Sequence, residues 1–209
     1  MEDILFEVVE DQLTNEMFTD DMALYVEMME DNYHTSPIVG LAWGNNKKIY
    51  TTNNLAVFES QPFIDWLMDE TRKKNVYDAK RTYVALNRYV GKMTGIAFDV
   101  LLAAYLLDTN DNNADIEGVA QHYGYDAIQS DEAIYGKGAK KGLPEDEEVF
   151  FGHLARKIKA IQFLTSKLDS ELTEKNQADL FYKMELPLSR ILGDMEITGI
   201  RVDATRLKE

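Results

Sequence analysis

Acidic side chains are the groups in this sequence with the most chemistry to offer, 37 of them against 22 lysines and arginines. Five stand where a fold can gather them: Glu27, Glu30 and Asp31 in one stretch, then Asp78 and Asp99. Converging carboxylates hold hard divalent cations, and such cations activate water. Each of the five also has an ordinary explanation. Glu30 and Asp31 fall in a polar loop, Asp78 and Asp99 stand where helix caps are needed, and Glu27 is either solvent-facing or paired. His34, His122 and His153 show no metal-ligand spacing. Met22, Met28 and Met29 read as core. The run Gly136-Lys137-Gly138-Ala139-Lys140-Lys141-Gly142 invites comparison with a phosphate loop, but it lacks the Ser or Thr that must follow the lysine. It reads as a mobile, solvated loop.

The elements that must position these groups centre on Ala23 to Trp43. Leu24, Val26 and Met28 alternate with Tyr25, Glu27 and Met29, and an apolar run follows from Ile38 to Trp43. That pattern is a central strand pair, around which the rest of the chain is expected to pack. Ile4 to Val9 reads as an edge strand, and Thr14 as the cap of a short turn reaching Met17. Gly44-Asn45-Asn46-Lys47 is a hairpin turn, because Gly and Asn tolerate positive φ, and Lys48 to Thr52 returns as a third antiparallel strand. A helical stretch is expected over Asn54 to Glu70, with Pro62 at a helix start. A brief strand follows over Lys73 to Tyr77, then a helix over Asp78 to Asn87. Asp99 caps a helix burying Leu101, Leu102, Tyr105 and Leu106. Asn110 to Ala114 is a loop, and a short helix from Ile116 to Tyr123 closes at Gly124.

Pro144 opens a long helix whose first turn carries the acids Glu145 to Glu148, which complement the helix dipole. Phe151, Leu154, Ile158, Ile161, Leu164, Leu168 and Leu172 recur at intervals of three and four, a structural stripe. Lys175-Asn176 interrupts it. From Gln177, Leu180, Phe181 and Met184 form one side of a second helical region. Pro187 forces a restart or kink, and Leu188, Ile191, Leu192 and Met195 continue the stripe until Thr198-Gly199. Ile200 to Val202 reads as extended and Asp203 as the cap of a further helix, as in a piece of a longer protein. Hairpin strands followed by alternating helix and strand make an α/β domain with a mixed sheet.

Hydrophobic residues make up 45% of the sequence, enough for a sizeable core. The absence of cysteine excludes disulfides and thiolate metal sites. No apolar stretch approaches the roughly 18 residues that span a membrane, and the acidic opening is no secretory signal. A formal net charge of -15 argues against tight nucleic-acid binding by the whole surface, although a local basic patch is compatible with it.

Three stretches together carry a family resemblance. MELPLSRILGDMEITGIRVD (Met184 to Asp203) is similar to the entry into the polymerase domain of bacterial family A DNA polymerase I. GIAFDVLLAAYLLD (Gly95 to Asp108) resembles the middle of the 3′–5′ proofreading exonuclease domain of those enzymes. SDEAIYGKGAKKGLP (Ser130 to Pro144) resembles the form of that domain found in Gram-positive bacilli. The resemblance implies a ribonuclease H-like 3′–5′ exonuclease fold, a mixed sheet flanked by helices, over residues 1–176. It implies the helical start of the polymerase domain over residues 177–209.

An active member of the family uses two divalent metals held by an Asp-x-Glu pair, a second Asp and a Tyr-x-x-x-Asp motif. Aligned on the first central strand, the pair falls on Val26 and Met28, and shifting the register by one recreates no Asp-x-Glu. The second Asp falls on Thr82, placed by Lys80. The last motif falls on the long helix, with His153 at the tyrosine and Lys157 at the aspartate. The expected metal ligands are therefore absent, and no metal, cofactor or catalytic residue is assigned to this domain.

The implied role is a non-catalytic structural domain of a DNA-directed DNA polymerase that acts in replication and repair, with Mg²⁺ serving the parent polymerase. The implied partners are the polymerase domain in cis and, through it, DNA, with little or no DNA binding by this acidic domain alone. A monomer in the bacterial cytoplasm, nucleoid-associated through DNA, is expected, with a 5′-nuclease domain preceding it in the parent. The alternatives are an active metal-dependent 3′–5′ exonuclease with relocated carboxylates, drawn from Glu27, Glu30, Asp31, Asp78 and Asp99, and an interaction module for replication or repair partners.

Overall fold

Residues 3–108 and 115–208 are described by the structure, a computed structural model, with side chains described as far as residue 199. The loop expected at Asn110 to Ala114 lies outside the described residues. Six strands form one mixed sheet: β1 (Glu7–Val8), β2 (Met22–Met28), β3 (Ile38–Gly44), β4 (Ile49–Thr52), β5 (Lys74–Val76) and β6 (Ile96–Asp99), in the order β1-β4-β3-β2-β5-β6. β2, β3 and β4 are antiparallel, and β1, β5 and β6 add in parallel. The expected central pair is indeed central. All seven residues of β2 are buried, because both faces of the sheet are covered.

The helices are α1 (Gln61–Leu67), α2 (Ala79–Asn87), α3 (Val100–Leu107), α4 (Ile116–His122), α5 (Asp131–Tyr135), α6 (Glu147–Glu174), α7 (Ala178–Leu180) and α8 (Leu186–Lys208). They divide the core in two. On one face Ala23, Tyr25 and Ala42 meet α3, α4 and α6. On the other, Leu24, Val26, Met28, Leu41 and Trp43 meet α1, α2 and Ile197 of α8. The α6 stripe is buried along its whole length, from Phe151 at 3% exposure to Leu172 at 0%. The helix comes so close to β3 that a Cβ on Gly40 would lie 2.7 Å from Phe150 Cζ and 3.0 Å from Leu154 Cδ1.

Several boundaries differ from those expected. The stretch from Asn54 splits into a 3-10 turn, Leu55–Glu59, and α1, separated by the extended Ser60 with Pro62 in the first turn of α1. The hairpin does not use positive φ at Asn45 or Asn46. Asn45 Oδ1 instead accepts from the backbone N–H groups of Lys47 and Lys48 at 2.8 and 2.9 Å. Gly44 is needed for space, since a Cβ there would lie 2.4 Å from the Lys48 carbonyl oxygen. α3 buries Val100, Ala103 and Ala104, while Tyr105 is exposed. A helix apolar on every side cannot disclose its phase, and the small alanines are the ones that permit close packing.

α6 starts later than Pro144, at Glu147, with Asp146 as its cap accepting from Glu148 N–H at 3.0 Å. A π-helical turn, Phe181–Glu185, precedes Pro187 and absorbs its missing N–H, and α8 runs past Thr198-Gly199 through the region expected to be extended. Phe181 is buried, but Leu180, Met184, Leu188, Ile191, Leu192 and Met195 are exposed. The face of α8 that packs is the one carrying Gly193, where a Cβ would lie 2.9 Å from the Tyr83 ring.

The Gly40 contact yields a direct test. Gly40→Ala should lower unfolding stability by about 1–3 kcal/mol through overpacking, measured by urea denaturation. An unchanged midpoint would show that α6 can lift off β3 without cost.

Candidate functional site

Period-two alternation on β2 turns Tyr25 and Glu27 toward α6, and the stripe of α6 turns Lys157 back toward them. The Lys157 ammonium lies 2.6 Å from Glu27 Oε2, 2.8 Å from Asp131 Oδ1 and 3.2 Å from Tyr25 Oη. It also sits 4.4 Å from the centre of the Tyr25 ring. Asp131 arrives from α5, where Ser130 caps the helix by accepting from Ala133 N–H. His153, one turn before Lys157 on α6, places Nε2 2.7 Å from Asp131 Oδ1. Tyr135 Oη, from the other end of α5, donates to Glu27 Oε2 at 2.9 Å. Lys157, Glu27 and His153 are almost wholly removed from water.

Burial alone would pull the Lys157 ammonium down, but Glu27, with Tyr25 and Asp131 behind it, holds it well above the ordinary lysine value. Lys157 is therefore charged. Burial would raise Asp131, yet the His153 hydrogen bond and the Lys157 charge hold it well below the usual carboxylate range. The Tyr25 and Tyr135 phenols are pushed up by burial and by the Glu27 charge, so both stay protonated. The Arg81 guanidinium donates to the Val26 carbonyl at 2.9 Å and lies 5.3 Å from the Tyr25 ring centre.

Tyr25, Glu27 and Asp131 of this cluster line a cleft of about 370 Å³, which Glu30, Asp31, Tyr33, Asp78 and Lys141 also line. Asp78 and Asp99 are the caps expected of them. Asp78 accepts from Arg81 N–H at 3.1 Å. Asp99 accepts from Leu102, Asp78 and Ala79 N–H groups, while burial pushes its carboxyl up to about 6 against those bonds. His34 lies 3.6 Å from Glu196, and His122 packs edge-on to Tyr123.

The five positions carried over from the resemblance do not converge. His153 and Lys157 meet in the cluster. Val26 and Met28 point the other way, into the core under α2, and the buried Thr82 returns its hydroxyl to the Asp78 carbonyl at 2.9 Å. The β2 side chains facing Lys157 are Tyr25 and Glu27, one residue earlier. Glu27 is thus paired and buried, and a carboxylate does stand on this face. Asp131 and Tyr135 escaped sequence reasoning because no element was assigned between Gly124 and the loop that opens at Gly136, and α5 lies in that gap. The Ser130 cap followed by two acids was the available signal.

Glu27, Asp131 and His153 each offer a ligand atom, and these atoms lie within 4.8 Å of one another. In size the group suits a cation. It does not fit the divalent pair the fold family implies, because Lys157 already bonds both carboxylates and His153 is engaged with one of them.

The chain is similar to known proteins in sequence and in fold. A family model described as "DNA polymerase I, ribonuclease H-like domain" matches residues 24–164. DNA polymerase I of Geobacillus stearothermophilus is 43% identical over 96% of this chain and 23% of its own length. That of Bacillus subtilis (strain 168) is 41% identical over 100% of this chain and 23% of its own. The chain thus spans about a quarter of these relatives. Among solved structures, Brucella melitensis NrnC with bound Mg²⁺ superposes with a TM-score of 0.70 at 14% identity, covering 93% of both chains. Escherichia coli RNase D gives 0.67 at 13%, covering 86% of this chain and 46% of its own. At such identities these two report the fold alone.

Lys157→Met should cost about 3–5 kcal/mol, because it strands the buried Glu27 carboxylate without a counter-charge. The Glu27→Gln, Lys157→Met double variant should recover part of that loss in urea titrations, and strict additivity would deny the coupling. Asp131 has a depressed folded pKa. Its contribution is therefore present above its unfolded value near pH ~3.9 and is lost as pH falls further toward the folded one. Asp131→Asn should flatten that acid limb of the stability profile.

Proposed function

The chain belongs to the ribonuclease H-like domain family of DNA polymerase I, and we propose that it serves there as a non-catalytic structural domain. In this reading residues 1–176 are the exonuclease-like unit, and residues 177–209 begin the polymerase part of a DNA-directed DNA polymerase of replication and repair. The polymerase domain in cis is its partner, DNA and Mg²⁺ are engaged by that domain, and the whole works in the bacterial cytoplasm.

One observation carries the proposal: a buried lysine ammonium bonds the carboxylates that would otherwise hold a metal. Divalent metals supply the water activation in this class of hydrolysis. An ammonium supplies no open coordination position, and its charge repels a second cation. The α5 segment supports the same reading, because it seats Asp131 against Lys157 in the wall of the cleft and ties Glu27 down through Tyr135.

The proposed bracing role rests on α8. Glu196 accepts from Tyr33 Oη at 2.8 Å and pairs with Lys80 at 3.2 Å, and Asp194 accepts from Tyr83 Oη and pairs with Lys92 at 3.5 Å. These bonds fix the direction in which α8 leaves the exonuclease-like unit.

The competing reading, a working exonuclease, draws on the Glu27, Asp131 and His153 group. A 3′-end-labelled single-stranded oligonucleotide, incubated with Mg²⁺ and then with Mn²⁺, separates the two. No cleavage above background is expected. Cleavage by the wild type that disappears in a Glu27→Gln, Asp131→Asn variant would overturn the structural reading and make these residues metal ligands.

A further inference from the structure

Away from the cleft, the outer side of α6 departs from the acidic character of the chain. Arg156, Lys159, Phe163, Ser166, Lys167 and Ser170 follow one another at helical spacing on the side opposite the buried stripe. Together they line a groove of about 590 Å³, within the range that holds small organic ligands. Phe163 is 37% exposed and stacks on Tyr125, with ring centres 5.1 Å apart and planes at 29°. Lys159 is exposed and has no ion-pair partner among the described residues. Two acids compete locally: Asp3 lines the groove, and Glu171 pairs with Lys167 at 3.5 Å. Asp169 is drawn away to Tyr182 Oη at 2.6 Å.

We propose that this groove is a contact site for a short single strand of nucleic acid. Its phosphates would lie along Lys159 and Lys167, and one base would stack on the exposed face of Phe163. The combination of cations tracking a line with an aromatic platform is what single strands require. Stacking tolerates any base, and the cations meet the backbone charge. The stripe from Arg156 to Ser170 runs about 21 Å along the helix, the length of a few nucleotides. The chain as a whole, at a net charge of -15, repels a phosphate backbone. Binding is therefore weak, local and salt-sensitive. The site lies on the far side of α6 from the Lys157 cluster and is independent of whether the cleft has activity.

The test is fluorescence anisotropy of a labelled oligothymidylate of about 12 nucleotides, a length suited to sites of this size. The protein is titrated between roughly 50 and 200 mM salt. Binding should appear at the low end and fall steeply with salt. Phe163→Ala should weaken it by at least about fivefold through loss of one stacked base, and Lys159→Glu with Lys167→Glu by about tenfold or more. Lys159 and Lys167 face solvent, so the melting temperature of the charge-reversal variant should stay unchanged, which separates lost binding from lost folding; Phe163→Ala also gives up the Tyr125 stack and is titrated at a temperature well below its own melting point. No binding at low salt would overturn the proposal. So would equal binding by the variants, or a loss confined to Lys141→Glu, which would put the strand in the cleft instead.

Discussion

Everything around the cleft depends on one buried ammonium. Ionised groups withdrawn from water cost several kcal/mol each unless every one is paired and hydrogen-bonded. Lys157 meets that condition through Glu27, Asp131 and Tyr25. Glu27 meets it through Lys157, Tyr135 and a longer contact from Tyr25. The three charges come from three separate elements, β2 early in the chain and the successive helices α5 and α6 late in it. Because no partner can be released without stranding another, the cluster sets the spacing of those elements more strictly than apolar contact does, since apolar packing has no direction.

That spacing is prepared by the apolar architecture. Helix α6 can carry Lys157 to Glu27 only because Gly40 lets Phe150 and Leu154 rest almost on the backbone of β3. The same helix buries one continuous stripe and keeps its opposite side for solvent, so it serves as the spine of one core while presenting cations outward. The second core, under α2, is bound to α8 by Ile197 and by polar bonds from Glu196 and Asp194. β2 lies between the two cores. Its alternate residues therefore have separate tasks, Tyr25 and Glu27 toward the charge cluster, Leu24, Val26 and Met28 toward α2.

This division explains what was legible in the sequence. The central strand pair, the third antiparallel strand, the α6 stripe and the caps Asp78 and Asp99 follow from local rules, and all are present. The face of β2 was not legible. A strand buried on both sides has no polar face to mark it, and a slip of one residue exchanges all inward and outward side chains. The positions aligned on the family's acid pair, Val26 and Met28, face α2, while Tyr25 and Glu27 beside them face Lys157. The phases of α3 and α8 were hidden for a related reason. Both helices offer more apolar residues than the core takes, and the close contacts fall instead on Ala103, Ala104 and Gly193. Asp131 was hidden because its importance comes from Lys157, a residue 26 positions later, and no local pattern records that meeting.

The charge balance of the cleft shows what the ammonium changes. Around Lys157 and Arg81 stand Glu27, Asp131 and Asp78, with Glu30 and Asp31 at the rim. Without a counter-charge such a set repels itself, and burial already lifts the Asp78 carboxyl above its ordinary value. A bound cation relieves the repulsion only while it is bound, so the fold around such a site answers to the concentration of the ion. A lysine on α6 relieves it at every concentration, because its charge is tethered to the helix and held there by the pairing that raises its proton affinity. The arrangement makes the joint between β2, α5 and α6 permanent. Such a joint suits the scaffold role proposed above, in which α8 is held by Glu196 and Asp194, whereas a hydrolytic centre must open a coordination position for water.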